Sequence, residues 1–283
     1  MIMNIQPIQM KSMTQMKKTL CVAVLVACQL MSYSGPVAAA SAAVAAEQVK
    51  PAVFLVRQTQ ALLPDALLVH WTAEAAVVDI FVADKADTKV MKKIASDVKG
   101  NSYLIQQPTQ SRPYVYVKPK DQPGHWVAER ILPLQGGVNF RDLGGYPSQS
   151  GGTVVWGKLF RSGTMTDLTS ADYQYLSALN IRTFCDFRAR EELATEPTLY
   201  KNFAPEAQML MRDYSMQEMM AGSNMQAFGK INSREQAIEV FSGFYRQGPE
   251  RFAEQFKQMF EQLLAGKAPL AVNCSAGKDR TGR

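Results

Sequence analysis

From about residue 133 onward, the sequence alternates between helical periodicity and short apolar strands, and this alternation limits the possible folds most strongly. The segments Ile181–Phe187 and Pro269–Val272 are short and apolar, which predicts strands. A helix capped by Ser233 is predicted to run to about Gln247, where the following Gly-Pro pair is expected to end it. The pattern therefore predicts an α/β domain over residues 134–283.

Capping residues indicate where another helix of this region begins. Thr169 and Asp172 have the spacing of a capping box, in which each side chain accepts a hydrogen bond from the other residue's backbone N–H. Apolar residues at helical spacing predict a further helix over Phe252–Leu263. The segment Met209–Met225 is rich in Met and Gln without a clear period, so a loose loop or a lid is expected there.

Residues 47–133 predict a small all-β domain. Short runs rich in Val, Ile and aromatic residues are separated by Pro, Asp, Gly and Lys; they are Leu67–Trp71, Ala76–Val82, Pro113–Val117 and Trp126–Leu132. The series suggests a β-sandwich and loosely resembles a fibronectin type III or immunoglobulin-like module, with Trp71 as the core aromatic residue. His70 and His125 lie here without a cluster of further ligands, so no metal site is predicted.

Residues 1–46 are predicted to be an export signal. Lys17 and Lys18 precede the apolar run Leu20–Leu30, and the small residues of Ala38–Ala46 offer cleavage sites. The apolar run is short for a membrane span. The mature protein is therefore expected to be periplasmic or secreted.

Cys28 leaves one alternative open, because Leu25–Cys28 resembles a bacterial lipoprotein box. Lipidation of Cys28 would anchor the protein to a membrane, whereas ordinary cleavage in the Ala-rich stretch would remove this residue. After ordinary cleavage Cys185 and Cys274 remain, which are too few for a disulfide scaffold.

The charge balance gives little indication of a polyanionic partner. The chain has 31 basic and 25 acidic side chains, a formal net charge of +6. Half of this excess comes from Lys11, Lys17 and Lys18 in the predicted signal. The remaining excess is too mild to predict nucleic-acid binding, but a local basic pocket for an anionic ligand is compatible with it.

Asn273 follows the last predicted strand, and the next residues read CSAGKDR, in which Arg280 follows Cys274 by six positions. A Gly-containing turn between a strand and a helix N-terminus collects backbone N–H groups and forms an anion site, whose field favours the thiolate of Cys274. A thiolate attacks phosphorus, and the Arg280 guanidinium can bind two phosphoryl oxygens. Gly277 permits the tight turn, and Thr281 can hydrogen-bond the sulfur. The predicted phosphate-binding residues are Ser275, Ala276, Gly277, Lys278 and Thr281.

Three stretches resemble the protein tyrosine phosphatase superfamily, and more narrowly its bacterial branch of tyrosine and lipid phosphatases. They are CSAGKDRTG, the run GGVNFRDLGGYPSQSGGTVVWGKLFRSG from Gly136 to Gly163, and LTSADYQYLSALNIRTFCDFRAREE from Leu168 to Glu192. The resemblance extends from about Leu134 to the end of the sequence, and the motifs occur in the family's order.

The resemblance implies a role for individual residues. Cys274 is the expected nucleophile, Arg280 the phosphate clamp and Asp279 the general acid, while Lys278 contacts substrate anions. Asp186 is expected to be either an alternative acid or an organiser of the loop. The residues expected to brace the fold rather than to touch phosphate are Asn139, Arg141 and Asp142. No metal or cofactor is implied.

One position departs from the superfamily pattern, because Asn273 stands where the family usually has His. That His supports the thiolate through hydrogen bonds to the loop. Asn can donate hydrogen bonds but carries no positive charge, so weaker support and a slower reaction are expected, without loss of the reaction class.

The sequence thus predicts an exported phosphomonoesterase that acts on phosphotyrosine, phosphoinositides or both through a cysteinyl-phosphate intermediate. One alternative is a phosphate-binding or adhesion module without turnover. Another is an arsenate reductase, which would need relay cysteines beyond Cys185. A third is an inactive fragment, because only Thr281–Arg283 follow the loop and low stability is expected without a following helix.

Overall fold

A computed structural model describes residues 53–58, 66–71, 77–106, 112–120, 122–220 and 231–282. These residues belong to one compact unit. Among them, no helix combines the length and the apolar character that a membrane span requires. The predicted export signal over residues 1–46 and the lipoprotein alternative at Cys28 lie outside the described residues.

The regular elements described between residues 53 and 127 are all strands. They are β1 Val53–Gln58, β2 Ala66–Trp71, β3 Val77–Ala83, β4 Lys92–Lys99, β5 Ser102–Ile105, β6 Tyr114–Pro119 and β7 His125–Val127. They form two antiparallel sheets, with strand orders β1-β2-β5 and β4-β3-β6-β7.

Apolar side chains from both sheets share one core. Leu67 and Trp71 of β2, Ile80 of β3 and Val117 of β6 are buried in the same cluster. Trp71 is only 2% exposed, so the prediction that it is a core aromatic residue is confirmed. The likeness to a fibronectin or immunoglobulin module and the domain boundary at residue 133 stay predictions.

Some strands of this region differ from the sequence prediction. The pattern does not reveal β1, β4 or β5; β4 lies at a sheet edge, and its lysine-rich sequence is largely exposed. The predicted strand Trp126–Leu132 ends at Val127. The prediction is wrong for residues 128–132, because the chain leaves β7 there and joins the following sheet. Arg130 donates to the carbonyl oxygens of Asp142 and Gly144 in that region, each at 2.8 Å.

The α/β prediction for the second half of the chain is confirmed. The strands β8 Arg141–Asp142, β9 Leu159–Ser162, β10 Thr183–Asp186, β11 Gln208–Met211 and β12 Leu270–Asn273 form one sheet. Its order is β11-β10-β12-β9-β8, and only β8 is antiparallel to its neighbour. Leu270 and Val272 pack into a different cluster from Ala271, so both faces of β12 are covered.

Helices flank this sheet in the described residues. They are α1 Ser170–Ala178, α2 Arg190–Thr195, α3 Met216–Met220, α4 Arg234–Arg251 and α5 Ala253–Leu264, with short 3-10 helices at Tyr200–Asn202 and Arg280–Gly282. The predicted capping box of Thr169 and Asp172 is confirmed, with both reciprocal hydrogen bonds present.

Two helix predictions are corrected. The helix capped by Ser233 does not end at Gly248-Pro249 but continues to Arg251. The N–H of Phe252 donates to the Gly248 carbonyl oxygen at 3.1 Å, and the buried Phe252 ring holds this junction in the core. The loop expected over residues 209–225 is wrong where β11 and α3 form regular structure. Leu210 of β11 is buried in the core beside β10. Residues 221–225 lie outside the described part.

Asp142 joins the two halves of the described structure. Its buried carboxylate accepts hydrogen bonds from Arg112 at 2.6 Å, from the Gly144 N–H at 2.7 Å and from the Gly157 N–H at 2.8 Å. Because the ion pair and the backbone donors satisfy both oxygens, this burial is tolerated. The prediction that Asp142 braces the fold is confirmed.

Candidate active site

The central strand β12 delivers Cys274 to the carboxyl edge of the sheet. All four residues of β12 are buried, and Asn273 lies in register with Ser162 of β9 and Asp186 of β10. Cys274 follows directly, is 1% exposed and donates its backbone N–H to the Ser162 carbonyl oxygen at 3.3 Å. The carboxyl ends of parallel strands are where ligands bind in open α/β sheets, so the loop from Cys274 to Arg280 occupies the expected place for a site.

Groups outside this loop hold its backbone carbonyls. The N–H of Thr164 donates to the carbonyl oxygen of Ser275 at 3.0 Å. The side-chain amide of Asn139 donates to the carbonyl oxygens of Ala276 and Gly277 at 3.1 and 3.0 Å. The prediction that Asn139 has a bracing role agrees with these contacts, which fix the loop itself.

The guanidinium of Arg161 completes this set of donors. Its Nη2 donates to the carbonyl oxygens of Gly277 at 2.7 Å and Lys278 at 2.8 Å. A planar trans peptide unit points its C=O and N–H in opposite directions. The carbonyls of residues 275–278 are therefore turned outward, and the N–H groups of residues 276–279 face the other side of the loop. Consecutive N–H groups on one side form a concave anion site.

Gly277 is required by the close approach of the loop to β9. Its φ is +65°, in the left-handed region that favours glycine, so the prediction that Gly277 permits the tight turn is confirmed. A Cβ atom at this position would lie 2.3 Å from the backbone nitrogen of Gly163 and 2.4 Å from the carbonyl carbon of Ser162. Any side chain here would displace the loop from the sheet edge.

Arg280 is held beside the loop by Glu192 of α2. Its Nη1 lies 2.6 Å from Glu192 Oε2, and its Nη2 lies 2.7 Å from Oε1, a bidentate ion pair. Nη1 also donates to the Phe187 carbonyl oxygen at 2.8 Å and to the Tyr214 hydroxyl at 3.1 Å. Nη2 donates to the Ser275 hydroxyl at 3.0 Å, and that hydroxyl donates to Glu192.

Both partners of this ion pair are charged. Burial disfavours the ionised form of Glu192, but hydrogen bonds from Arg280, Ser275 and the Ala189 N–H outweigh burial and lower its pKa to about 2. Burial likewise opposes the charge of Arg280, yet hydrogen bonding to Glu192 and its negative charge raise the guanidinium pKa. Arg280 is therefore held as a cation at the loop, with both of its Nη atoms engaged by protein acceptors.

The remaining loop residues differ in exposure. Asp279 is partly buried and accepts a hydrogen bond from the Tyr245 hydroxyl of α4, while Lys278 is exposed beside it. Thr281 is 7% exposed, and its Oγ1 has no hydrogen-bond partner among the described residues. The structure thus brings Cys274, Arg280 and Asp279 together in one loop, and their chemical roles stay predictions.

Asp186 forms a buried ion pair with Arg188. Arg188 donates to both of its carboxylate oxygens, with Nη2 2.7 Å from Oδ2, and both side chains are fully buried. The two roles expected of Asp186, an alternative acid or an organiser of the loop, stay predictions. The Tyr200 hydroxyl connects the two strands, because it contacts Asp186 Oδ2 at 2.8 Å and Asn273 Oδ1 at 3.2 Å.

Asn273 takes part in this buried network. Its backbone carbonyl accepts from the Phe187 N–H at 2.8 Å, and its side-chain oxygen meets the Tyr200 hydroxyl. Its Nδ2 is buried without a hydrogen-bond partner among the described residues. Burial and the charge of Asp186 raise the pKa of Tyr200, so this tyrosine stays neutral. The side-chain amide of Asn273 is therefore connected through Tyr200 to Asp186 of β10.

Several residues of the site are not predicted from the sequence. They are Arg161, Glu192, Tyr200, Tyr214 and Tyr245. Arg161 and Glu192 stand within stretches that carry the family resemblance, which is a usable signal. Tyr214 lies in a stretch without periodicity, and Tyr245 lies on a helix whose pattern does not mark it.

Comparison with known proteins agrees with this geometry. Residues 132–283 match the model of a tyrosine phosphatase family, a match that includes the whole loop. A protein of Cupriavidus necator named "Putative tyrosine-protein phosphatase" is 34% identical over 153 residues, which are 51% of this chain and 51% of that protein. The chain spans about half the length of this curated relative.

The ion pair between Glu192 and Arg280 makes stability depend on pH. A carboxylate whose folded pKa is depressed stabilises the fold above its unfolded pKa, and this contribution is lost as pH falls. The pKa of Glu192 falls from 4.5 to about 2, which corresponds to a loss of order 3 kcal/mol in the unfolding free energy as the pH falls through this range. We expect Glu192→Gln to remove this part of the pH dependence, as measured by urea unfolding at a series of pH values.

The exposed Glu206 provides a matched control for this measurement. Glu206→Gln should keep the pH dependence of the unmodified protein. An unfolding free energy that falls equally steeply in the Glu192→Gln variant and in the unmodified protein would contradict the role assigned to the ion pair.

Proposed function

Because this chain belongs to the tyrosine phosphatase family, we propose that it hydrolyses phosphate monoesters through a phosphoryl group carried covalently on Cys274. The observation that carries this proposal is the set of donors behind the loop. Thr164, Asn139 and Arg161 hold the carbonyls of residues 275–278, so the N–H groups of residues 276–279 point away from these donors and can bind an anion.

The first chemical step transfers the phosphoryl group to sulfur. The Cys274 thiolate attacks phosphorus, an S–P bond forms, and the bond from phosphorus to the leaving oxygen breaks. The loop N–H groups and the Arg280 guanidinium stabilise the charge on the three remaining phosphoryl oxygens. Asp279 gives its proton to the leaving oxygen, which departs as a neutral hydroxyl group.

The second step regenerates the enzyme. Water attacks the phosphorus of the cysteinyl phosphate, and Asp279, now a carboxylate, accepts a proton from that water. The S–P bond breaks, and the thiolate and inorganic phosphate are the products. Asp279 thus returns to its protonated form, so both steps balance without a metal ion.

A nucleophile substitution tests this chemistry. Cys274→Ser should lower kcat/KM for p-nitrophenyl phosphate by at least about 10³-fold, because a serine hydroxyl is a far weaker nucleophile at neutral pH. Inorganic phosphate should still bind this variant, which would show that the loop remains intact. Retention of activity in Cys274→Ser would contradict the proposed function.

Cys185 offers the matched control, because it is the other described cysteine and is free and buried. Burial and the charge of Asp186 raise its pKa to about 12, so it stays a thiol at neutral pH. Cys185→Ala should therefore keep substantial activity. If phosphate binds the unmodified protein but no monoester is hydrolysed, the alternative of a phosphate-binding module is favoured instead.

For the substrate we propose phosphotyrosine and phosphoinositides, and Lys278 supports the second class. Lys278 is exposed in the loop, where a cation can contact a further phosphate of the same substrate. Lys278→Met should raise KM for a phosphoinositide bearing neighbouring phosphates by about three- to tenfold, and should change KM for a phosphotyrosine peptide less.

Lys267 is the control for this comparison, since it is an exposed lysine at the opposite end of β12. Lys267→Met should leave both KM values unchanged. Equal effects of Lys278→Met on the two substrates would contradict a contact specific to the additional phosphate.

We also propose that the protein is exported, on the basis of the basic, apolar and small-residue regions of residues 1–46. When the chain is expressed in a bacterial host, the mature protein should be found outside the cytoplasm. Its N-terminal sequence should start within or after Ala38–Ala46, or at a lipidated Cys28. Uncleaved protein confined to the cytoplasm would contradict this proposal.

A further inference from the structure

The carboxylate of Asp279 is in contact with a residue from outside the loop. Tyr245 lies in the second half of α4 and donates its hydroxyl hydrogen to Asp279 Oδ1. Among the α4 residues whose burial is described, only Gly248 is buried, so most of this helix is at the surface. The hydroxyl of Tyr245 therefore ties a largely exposed helix to the loop that carries Cys274.

A carboxyl group has two oxygens, and proton transfer needs only one of them. While Asp279 Oδ1 accepts from Tyr245, Oδ2 can carry the proton. A protonated carboxylic acid keeps its carbonyl oxygen as an acceptor, so the hydrogen bond to Oδ1 persists in both protonation states. The hydroxyl of Tyr245 can thus fix the plane of the carboxyl group throughout the reaction.

Fixing this plane affects the reaction, because a general acid must lie within hydrogen-bond distance of the leaving oxygen. Asp279 is only partly buried, so packing alone restricts its side chain less than a core position would. Small misplacements of a reacting group lower rates considerably. A donor on one oxygen restricts the rotation of the carboxyl group and presents the other oxygen to the substrate.

We propose that Tyr245 is a positioning residue that orients Asp279 for proton transfer to the leaving oxygen. The inference rests on the proposed phosphatase function and adds a residue to it. In the first step the proton moves from Asp279 Oδ2 to the oxygen that leaves phosphorus. In the second step Oδ2 takes a proton from water, and Tyr245 keeps its own proton in both steps.

Leaving groups of different acidity test this role. p-Nitrophenol departs readily as an anion, whereas phenol, with a pKa near 10, needs a proton as its bond to phosphorus breaks. Tyr245→Phe should lower kcat/KM for phenyl phosphate by about tenfold, a part of the 10²–10⁴-fold that general acids contribute. For p-nitrophenyl phosphate the change should be less than about twofold.

A double variant connects the effect to Asp279. Asp279→Asn should show the same preference for the better leaving group, with a larger loss on phenyl phosphate. Adding Tyr245→Phe to Asp279→Asn should cause no further loss, because a residue that acts only through Asp279 has nothing left to orient. Additive losses would overturn the proposal.

Tyr146→Phe is the matched control, since Tyr146 is another exposed tyrosine, 50% accessible, and lies outside the loop and α4. It should leave both substrates unaffected. If Tyr245→Phe lowers kcat/KM equally for the two substrates, or for neither, the positioning role is wrong. Phosphate binding and thermal unfolding of Tyr245→Phe should match the unmodified protein, which separates a positioning effect from a folding defect.

These outcomes also separate this inference from the proposed function. If the unmodified protein hydrolyses neither substrate, or if Cys274→Ser remains active, the proposed function fails. Suppose instead that the unmodified protein is active through Cys274, and that Tyr245→Phe has the same ratio of kcat/KM for the two substrates as the unmodified protein. Only the inference about Tyr245 then fails.

Discussion

The hydrogen bonds behind the Cys274–Arg280 loop are the constraint on which the rest of the site depends. Asn139 and Arg161 hold three successive loop carbonyls, and the Thr164 N–H holds the one before them. Because each peptide unit is rigid, fixing its carbonyl also fixes the direction of its N–H. These N–H groups are therefore held in one arrangement before any ligand arrives, which is what a preorganised anion site requires.

Two buried or half-buried ion pairs belong to the surroundings of this loop. Glu192 fixes Arg280 next to the loop, where the guanidinium can meet a phosphoryl group. The buried pair of Asp186 and Arg188 is connected to Asn273 through the hydroxyl of Tyr200. The ionic groups are paired and hydrogen-bonded, which makes their burial tolerable. Both ion pairs thus lie close to Cys274 in the sequence or in the sheet, through Arg280 of the loop and through Asp186 beside Asn273.

The sequence predicts the α/β class, the strand that delivers Cys274 and the capping box at Thr169, because periodicity and capping are local properties. It does not predict β4, whose polar sequence reflects an exposed edge. Glu192 and Tyr245 reach the loop from residues distant in the sequence, so their contacts depend on tertiary structure. The Gly248-Pro249 break fails as a prediction because the packing of Phe252 outweighs the local preference of proline.

The proposed mechanism requires a covalent phosphoryl group on Cys274, and mass spectrometry of rapidly acid-quenched protein during turnover tests this most directly. The prediction is a phosphoryl adduct on the peptide that contains Cys274 and none on the peptide that contains Cys185. Turnover of a phosphate monoester without any adduct on Cys274, under conditions in which a phosphocysteine standard survives the quench, would contradict this mechanism.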